Sequence, residues 1–176
     1  MQTDYIDLYQ VHWPANCGLL GLSAPAERAA VAAAVRALEA AKAVGQIRHY
    51  GVCNFGTEDL AGFAAAGGAS TSNQLPYNLL WRSIEDGILP ATRAAGQAVL
   101  TYSSLQQGLL AADITDPGQL SIGRLRTRMF APTRSPLSQH GSPGLEAQLF
   151  GPAGALAALR AAAAAGRVSL AELAVS

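Results

Sequence analysis

The chain has 176 residues, 50% of them hydrophobic, with 12 basic residues balanced by 12 acidic ones. That is enough apolar material for one domain with a sizeable core, while zero net charge and the lack of any basic run leave no electrostatic footprint for nucleic acid or an anionic membrane surface. No apolar run approaches the ~18 residues of a membrane span, and no basic region precedes the first apolar stretch, so neither a span nor a signal peptide is expected.

A small-molecule ligand or a protein neighbour is the expected partner, with no nucleic acid and no membrane. Cys17 and Cys53 form no metal-ligand spacing and are too few to staple a domain of this size, which points to a reducing, cytoplasmic compartment. Met1 stands so near the first predicted strand that no room for a targeting segment is expected.

The first element is the strand Asp4-Tyr5-Ile6-Asp7-Leu8-Tyr9-Gln10-Val11-His12-Trp13-Pro14. Ile6 and Leu8 fall on one side and Tyr5, Tyr9 and Val11 on the other, so both faces need cover, as in a parallel strand between helices. Ligands in parallel α/β folds sit beyond the carboxyl ends of strands, which singles out His12, the last polar ring before Pro14 breaks the ladder. A hydrogen-bonded structural histidine would also fit.

Ser23 and Pro25 open an Ala-rich helix in which Val31, Val35 and Leu38 recur at helical spacing until Gly45. Ile47 to Cys53 is the second strand, Asn54-Phe55-Gly56 turns, and Thr57-Glu58-Asp59 starts a second helix with an acidic first turn, ended by Gly67-Gly68. Ser72 to Leu75 makes the third strand, Glu85 to Ala95 the third helix, and Ala98 to Tyr102 the fourth strand. This alternation implies right-handed βαβ units and a parallel sheet or barrel.

Residues 108–144 differ: they are rich in Pro, Gly, Ser and Arg, without a sustained period, and read as a long irregular loop. Arg124, Arg126, Arg128 and Arg134 are its one chemical signal, and a solvated loop accounts for them. Pro152 to Ala165 is a further Ala-rich helix ended by Gly166, and Ser169-Leu170-Ala171-Glu172 has the spacing of a capping box.

The strand ends form a convergent set: His12 and Trp13, Cys53 and Asn54, Gln74, then Tyr102 and Ser103. Asn54 and Gln74 each offer a donor and an acceptor, as recognition of a carboxamide demands. Tyr102 offers a flat face for a planar ring. A planar heterocycle bearing a carboxamide describes nicotinamide.

Four runs carry a resemblance: Val11-His12-Trp13-Pro14; Gly45-Gln46-Ile47-Arg48-His49-Tyr50-Gly51-Val52-Cys53-Asn54-Phe55; Asn73-Gln74-Leu75-Pro76-Tyr77-Asn78-Leu79-Leu80; and Tyr102-Ser103-Ser104-Leu105-Gln106-Gln107-Gly108-Leu109-Leu110. In this order and separation they resemble the aldo-keto reductases, (β/α)8 TIM barrels that reduce aldehydes and ketones with NADPH. The resemblance is close from Thr3 to about Leu110 and looser from Leu145 to Val175.

The resemblance implies an α/β fold, a partial TIM barrel of about strands 4 to 7 with their helices, forming a single incomplete oxidoreductase domain over 1–176. It implies NADP(H) as cofactor and a small-molecule carbonyl substrate. His12 matches the active-site histidine that orients the carbonyl and supports proton transfer. Cys53 and Asn54 match a Ser-Asn pair that holds the nicotinamide carboxamide, Gln74 a glutamine that does the same, and Tyr102 the aromatic ring stacked on the nicotinamide. Ser103 and Leu105 match positions along the pyrophosphate.

There are departures. Cys53 replaces the usual serine, a weaker hydrogen-bond donor, and Ser104 stands where proline is common. By the family pattern the first three strands and the eighth are absent, and with them the catalytic aspartate, tyrosine and lysine. Asp4 and Tyr9 have a suggestive offset but fall on opposite strand faces. The only lysine, Lys42, sits near a helix end, where a cation complements the dipole. The expectation is a family oxidoreductase inactive as this chain, with open sheet edges through which it self-associates or pairs with a partner chain. The alternative is a non-catalytic barrel-like module that binds a nucleotide or a protein.

Overall fold

The structure, a computed structural model, describes residues 3–15, 21–111, 114–115 and 148–176, apart from the Gln107 side chain. Cys17, the four arginines and most of the predicted loop 108–144 lie outside these residues. Four strands follow in order: β1 (Ile6–Val11), β2 (Ile47–Cys53), β3 (Ser72–Pro76) and β4 (Ala98–Tyr102). Helices α1 (Ala24–Ala43), α2 (Thr57–Ala65) and α3 (Ile88–Ala94) alternate with them, and α4 (Ala155–Gly166) and α5 (Leu170–Val175) come after. The strands form one sheet in the order β1-β2-β3-β4, every pair parallel. This is the α/β arrangement that the alternation requires.

The chain divides into two compact units, one formed by Met1–Tyr77 with Arg82–Tyr102, the other by Asn78–Trp81 with Ser103–Ser176. In the first unit the sheet register decides which residues meet. Tyr9 pairs with Tyr50, Val11 with Val52 and Val52 with Asn73, so this row faces the helices. Tyr50 and Val52 are fully buried there against Val35 and Leu38 of α1 and Phe55 and Phe63. Ile6 and Val11 pack against the same cluster. The second unit has its own core of Leu109, Leu110, Ile114, Leu149 and Leu156, joined by Leu80 and Leu170.

The expected cover on both faces of β1 is not found, since Leu8 is 37% and Tyr9 47% exposed. β1 is an edge of the sheet, bonded to β2 alone, so only its ends reach the shared core. The third helix starts at Ile88 rather than Glu85. Glu85 is engaged before it: its carboxylate accepts from Arg82 (2.8 and 2.7 Å) and from the Tyr77 hydroxyl (2.6 Å). Arg82 foremost, and Tyr77 next, hold the Glu85 carboxyl at about 2. Likewise α4 begins at Ala155, because Gly154 is its extended N-cap and a Cβ there would lie 2.5 Å from the Leu149 carbonyl.

The capping box is formed as expected: the Ser169 hydroxyl accepts from the Glu172 N–H (3.2 Å) and the Glu172 carboxylate accepts from the Ser169 N–H (2.7 Å). At α2 only half of such a box exists. The Asp59 carboxylate accepts from the Gly56 N–H at 2.9 Å, and glycine has no side chain to reciprocate.

Helices α1, α2 and α3 end in one motif, a left-handed glycine (Gly45, Gly67, Gly96) flanked by paired backbone bonds such as Gln46 N–H to Ala41 and Gly45 N–H to Lys42. Helix α4 ends in the same bonds, but Arg167 takes the left-handed position at φ 56°. An L-residue with a Cβ is strained there. Arg167→Gly is therefore expected to raise the unfolding free energy by about 0.5–1 kcal/mol, the relief being partly offset by a more flexible unfolded chain. Urea denaturation followed by circular dichroism measures it; a destabilised Arg167→Gly would refute the account.

Candidate functional site

On the sheet face opposite the helices, the carboxyl ends of the strands bring several predicted residues together. β1 leads directly into His12, whose ring stacks on Trp13 at 5.6 Å. β2 ends in Cys53, and the next residue, Asn54, turns the chain with φ 63°. Its backbone N–H donates to the Gln74 carbonyl (2.9 Å), which ties the turn to β3. Its side chain ties it to the rest.

The Asn54 amide nitrogen donates to the His12 carbonyl (3.0 Å) and to Cys53 Sγ (3.2 Å). The Asn54 carbonyl oxygen accepts from the Tyr102 hydroxyl at 2.7 Å. One side chain thus joins the ends of β1, β2 and β4. Burial foremost, and then Cys53, push the Tyr102 phenol above its ordinary value, so it stays neutral and able to donate. Cys53 is buried, and that burial pushes its thiol up. In this structure its sulfur accepts a hydrogen bond, a different use from the donor expected of the serine that the resemblance places there.

Gln74 is half-buried on β3. Its Oε1 accepts from the Gln10 Nε2, and its own Nε2 has no partner among the described residues. Ser103 and Leu105 belong to the second unit, described by itself. Ser103 is left-handed (φ 54°), and its carbonyl accepts from Asn78 Nδ2 (2.9 Å) and the Gln106 N–H (2.8 Å). Leu105 precedes a short 3₁₀ turn, Gln106–Gly108, and its carbonyl accepts from Gly108 (3.0 Å) and Leu110 (3.1 Å). Asn54, directly after β2, and Ser103, in the second unit, are each a point of local backbone strain.

Three participants escaped the sequence reading. Gln10 is a polar residue on β1, two positions before His12 and so on its face; that placement was the available signal. Gly51 and Ser72, in line with it across the sheet, gave none. A cavity of about 360 Å³ lined by Pro14, Val31, Phe55, Gly62 and Ala66 contains none of the predicted site residues. No group of metal-ligating side chains occurs among the described residues, and none of their helices is long and apolar enough to cross a membrane.

A parallel α/β unit with polar and aromatic groups gathered at its strand ends is of the barrel or doubly wound class. The model of the Aldo/keto reductase family matches residues 1–176. The chain belongs to the aldo/keto reductase family.

It is 38% identical over 116 residues to an aldo-keto reductase of Bacillus subtilis (YhdN), covering 66% of this chain and 31% of the relative. It is 34% identical over 112 residues to the NADH-specific methylglyoxal reductase of Escherichia coli, covering 64% and 32%. Among solved structures, an aldo/keto reductase from Klebsiella pneumoniae in complex with NADP and acetate matches with a TM-score of 0.59 at 26% identity, over 98% of this chain and 44% of that one. The glycerol dehydrogenase of Gluconobacter oxydans matches with a TM-score of 0.72 at 25% identity, over 99% and 46%. The chain thus spans about a third of the length of these curated relatives, and its four parallel strands agree with part of the family's barrel.

Proposed function

We propose that this chain is the nicotinamide-holding portion of an NADP(H)-dependent oxidoreductase acting on an aldehyde or ketone, within one incomplete barrel domain over 1–176. The observation that carries the proposal is the hydrogen-bond state of two amides. Among the described residues Gln74 has its oxygen engaged and its nitrogen unpartnered, while Asn54 has its nitrogen engaged and one lone pair left on its oxygen after Tyr102 is served. One free donor and one free acceptor are the complement of a carboxamide. That is the fit nicotinamide requires.

Gln74 Nε2 would donate to the carboxamide oxygen and Asn54 Oδ1 would accept from its N–H. The Tyr102 ring, held by its hydroxyl on Asn54, would cover a face of the nicotinamide. Ser103 and Leu105 are proposed for the pyrophosphate, and His12 for orienting the substrate carbonyl and supporting proton transfer to its oxygen. NADPH, when bound, supplies the hydride.

Proton supply is the weak part of this chain. Its sole lysine, Lys42, is exposed on α1, its nitrogen 5.8 Å from the centre of the Tyr50 ring on the helix-facing side of the sheet. Burial foremost, and the Glu39 carboxylate next, push the Tyr50 phenol up, the wrong direction for a tyrosine acid. A positioned acid typically contributes about 10²–10⁴ in rate, so turnover by this chain alone is expected to be negligible.

The test is fluorescence titration of the purified chain with NADPH, beside a Gln74→Ala, Tyr102→Ala double variant. Saturable binding lost in the double variant, with no NADPH consumption on aldehydes, is the expected result. No binding by the unaltered chain, or equal binding by the double variant, would refute the site.

A further inference from the structure

The amide of Gln74 can face a ligand with either end, and which end it presents decides whether it complements a carboxamide oxygen or a carboxamide N–H. We infer that Gln10 is a positioning residue that fixes this choice, holding the Gln74 oxygen and leaving the Gln74 nitrogen to donate. The inference rests on the nicotinamide reading above.

The two glutamines lie on strands that are not neighbours, β1 and β3, with β2 between them. Gln10 pairs with Gly51, and one step before the Val52–Asn73 pair Gly51 stands beside Ser72. Gly51 therefore leaves a gap in the row where any other residue would raise a side chain. A Cβ on Gly51 would lie 2.2 Å from Ser72 Oγ and 3.2 Å from Gln10 Oε1. Through this gap Gln10 crosses β2 and donates its Nε2 to Gln74 Oε1.

The Gln10 Oε1 and Ser72 Oγ are both buried without a hydrogen-bond partner among the described residues, and both crowd the same side of Gly51. The amide end of Gln10 is placed by Gln74, and its carbonyl oxygen lies in the space that Gly51 leaves open. A buried polar atom left unpaired is costly, and that cost is tolerated here beside the proposed site. A purely structural contact would more simply be made by two apolar residues on this face.

A double-mutant cycle on NADPH affinity tests the inference. In Gln10→Glu the carboxylate can only accept, so it takes the Gln74 nitrogen and turns the wrong end of the amide toward the cofactor. NADPH affinity is expected to fall about tenfold in Gln10→Glu and about fivefold in Gln10→Met, which keeps the length but has no donor. Both effects are expected to vanish when Gln74→Ala is already present, because Gln10 acts through Gln74.

Thermal unfolding checks each variant, and Gln10→Met carries the test if Gln10→Glu does not fold. Losses that persist undiminished in the Gln74→Ala background, or no loss in either variant, would overturn the role of Gln10 while leaving the nicotinamide site in place. Absence of NADPH binding by the unaltered chain would overturn the site and this inference together.

Discussion

Phe63→Ala lowers the unfolding free energy by about 3–5 kcal/mol, the range for removing a buried aromatic ring and leaving its cavity. Phe63 is 3% exposed and meets two other rings edge to face, Tyr50 at 6.1 Å and Phe55 at 5.7 Å. Such pairs add to area burial. Gly68 leaves room for the ring: a Cβ there would sit 2.3 Å from it.

The loss also reaches the site. Phe55 follows Asn54 directly, and its carbonyl is held by the buried amide of Asn73 at 3.0 Å. Without the Phe63 ring, that turn is anchored by Asn73 and loses its apolar support, so NADPH affinity should fall along with stability. Urea unfolding and the NADPH titration read the two effects; stability within about 1 kcal/mol of the parent would contradict the packing argument.

In the second unit Leu156→Ala costs about 2–5 kcal/mol. Leu156 is 1% exposed and stands at the start of α4 in the cluster with Leu109, Leu110, Ile114 and Leu149. An alanine there removes contacts that neighbouring α4 residues, mostly alanine themselves, are too short to replace. Loss of amide hydrogen-exchange protection in α4 and at Leu109 and Leu110 would report it. Unchanged protection would mean that this cluster relaxes around the gap.

The strand and helix order was legible because its signals are local: β-branched and aromatic runs bounded by glycines, and apolar residues at helical spacing. Strands β2 and β4 fall where their sequence places them. The start of α3 was missed because Glu85 looks like a first-turn acid, whereas its carboxylate is committed to Arg82 and Tyr77. Helical spacing cannot show such a competing bond. The exposure of Leu8 and Tyr9 was hidden for a different reason, since an apolar strand reads the same whether or not a neighbour covers it.

At the site, residue types were legible and their partnerships were not. Asn54 and Gln74 were expected to share one task, yet the structure distributes their hydrogen bonds oppositely, one giving up its nitrogen and the other its oxygen. That difference depends on His12, Gln10 and Tyr102 arriving from other strands. It is written in the register of the sheet rather than in any run of residues.

The turn at Asn54 limits which sequences this fold can tolerate. Glycine would follow the left-handed backbone but leave the His12 carbonyl and the Tyr102 hydroxyl unanswered. Aspartate would accept from Tyr102 and have nothing to offer His12, while glutamine and serine would meet the steric penalty of φ 63°. Two independent filters, one on backbone shape and one on donor and acceptor placement, overlap at a single amino acid. Among random variants of this chain that keep three strand ends joined, position 54 should be nearly invariant, even if no cofactor is ever offered to them.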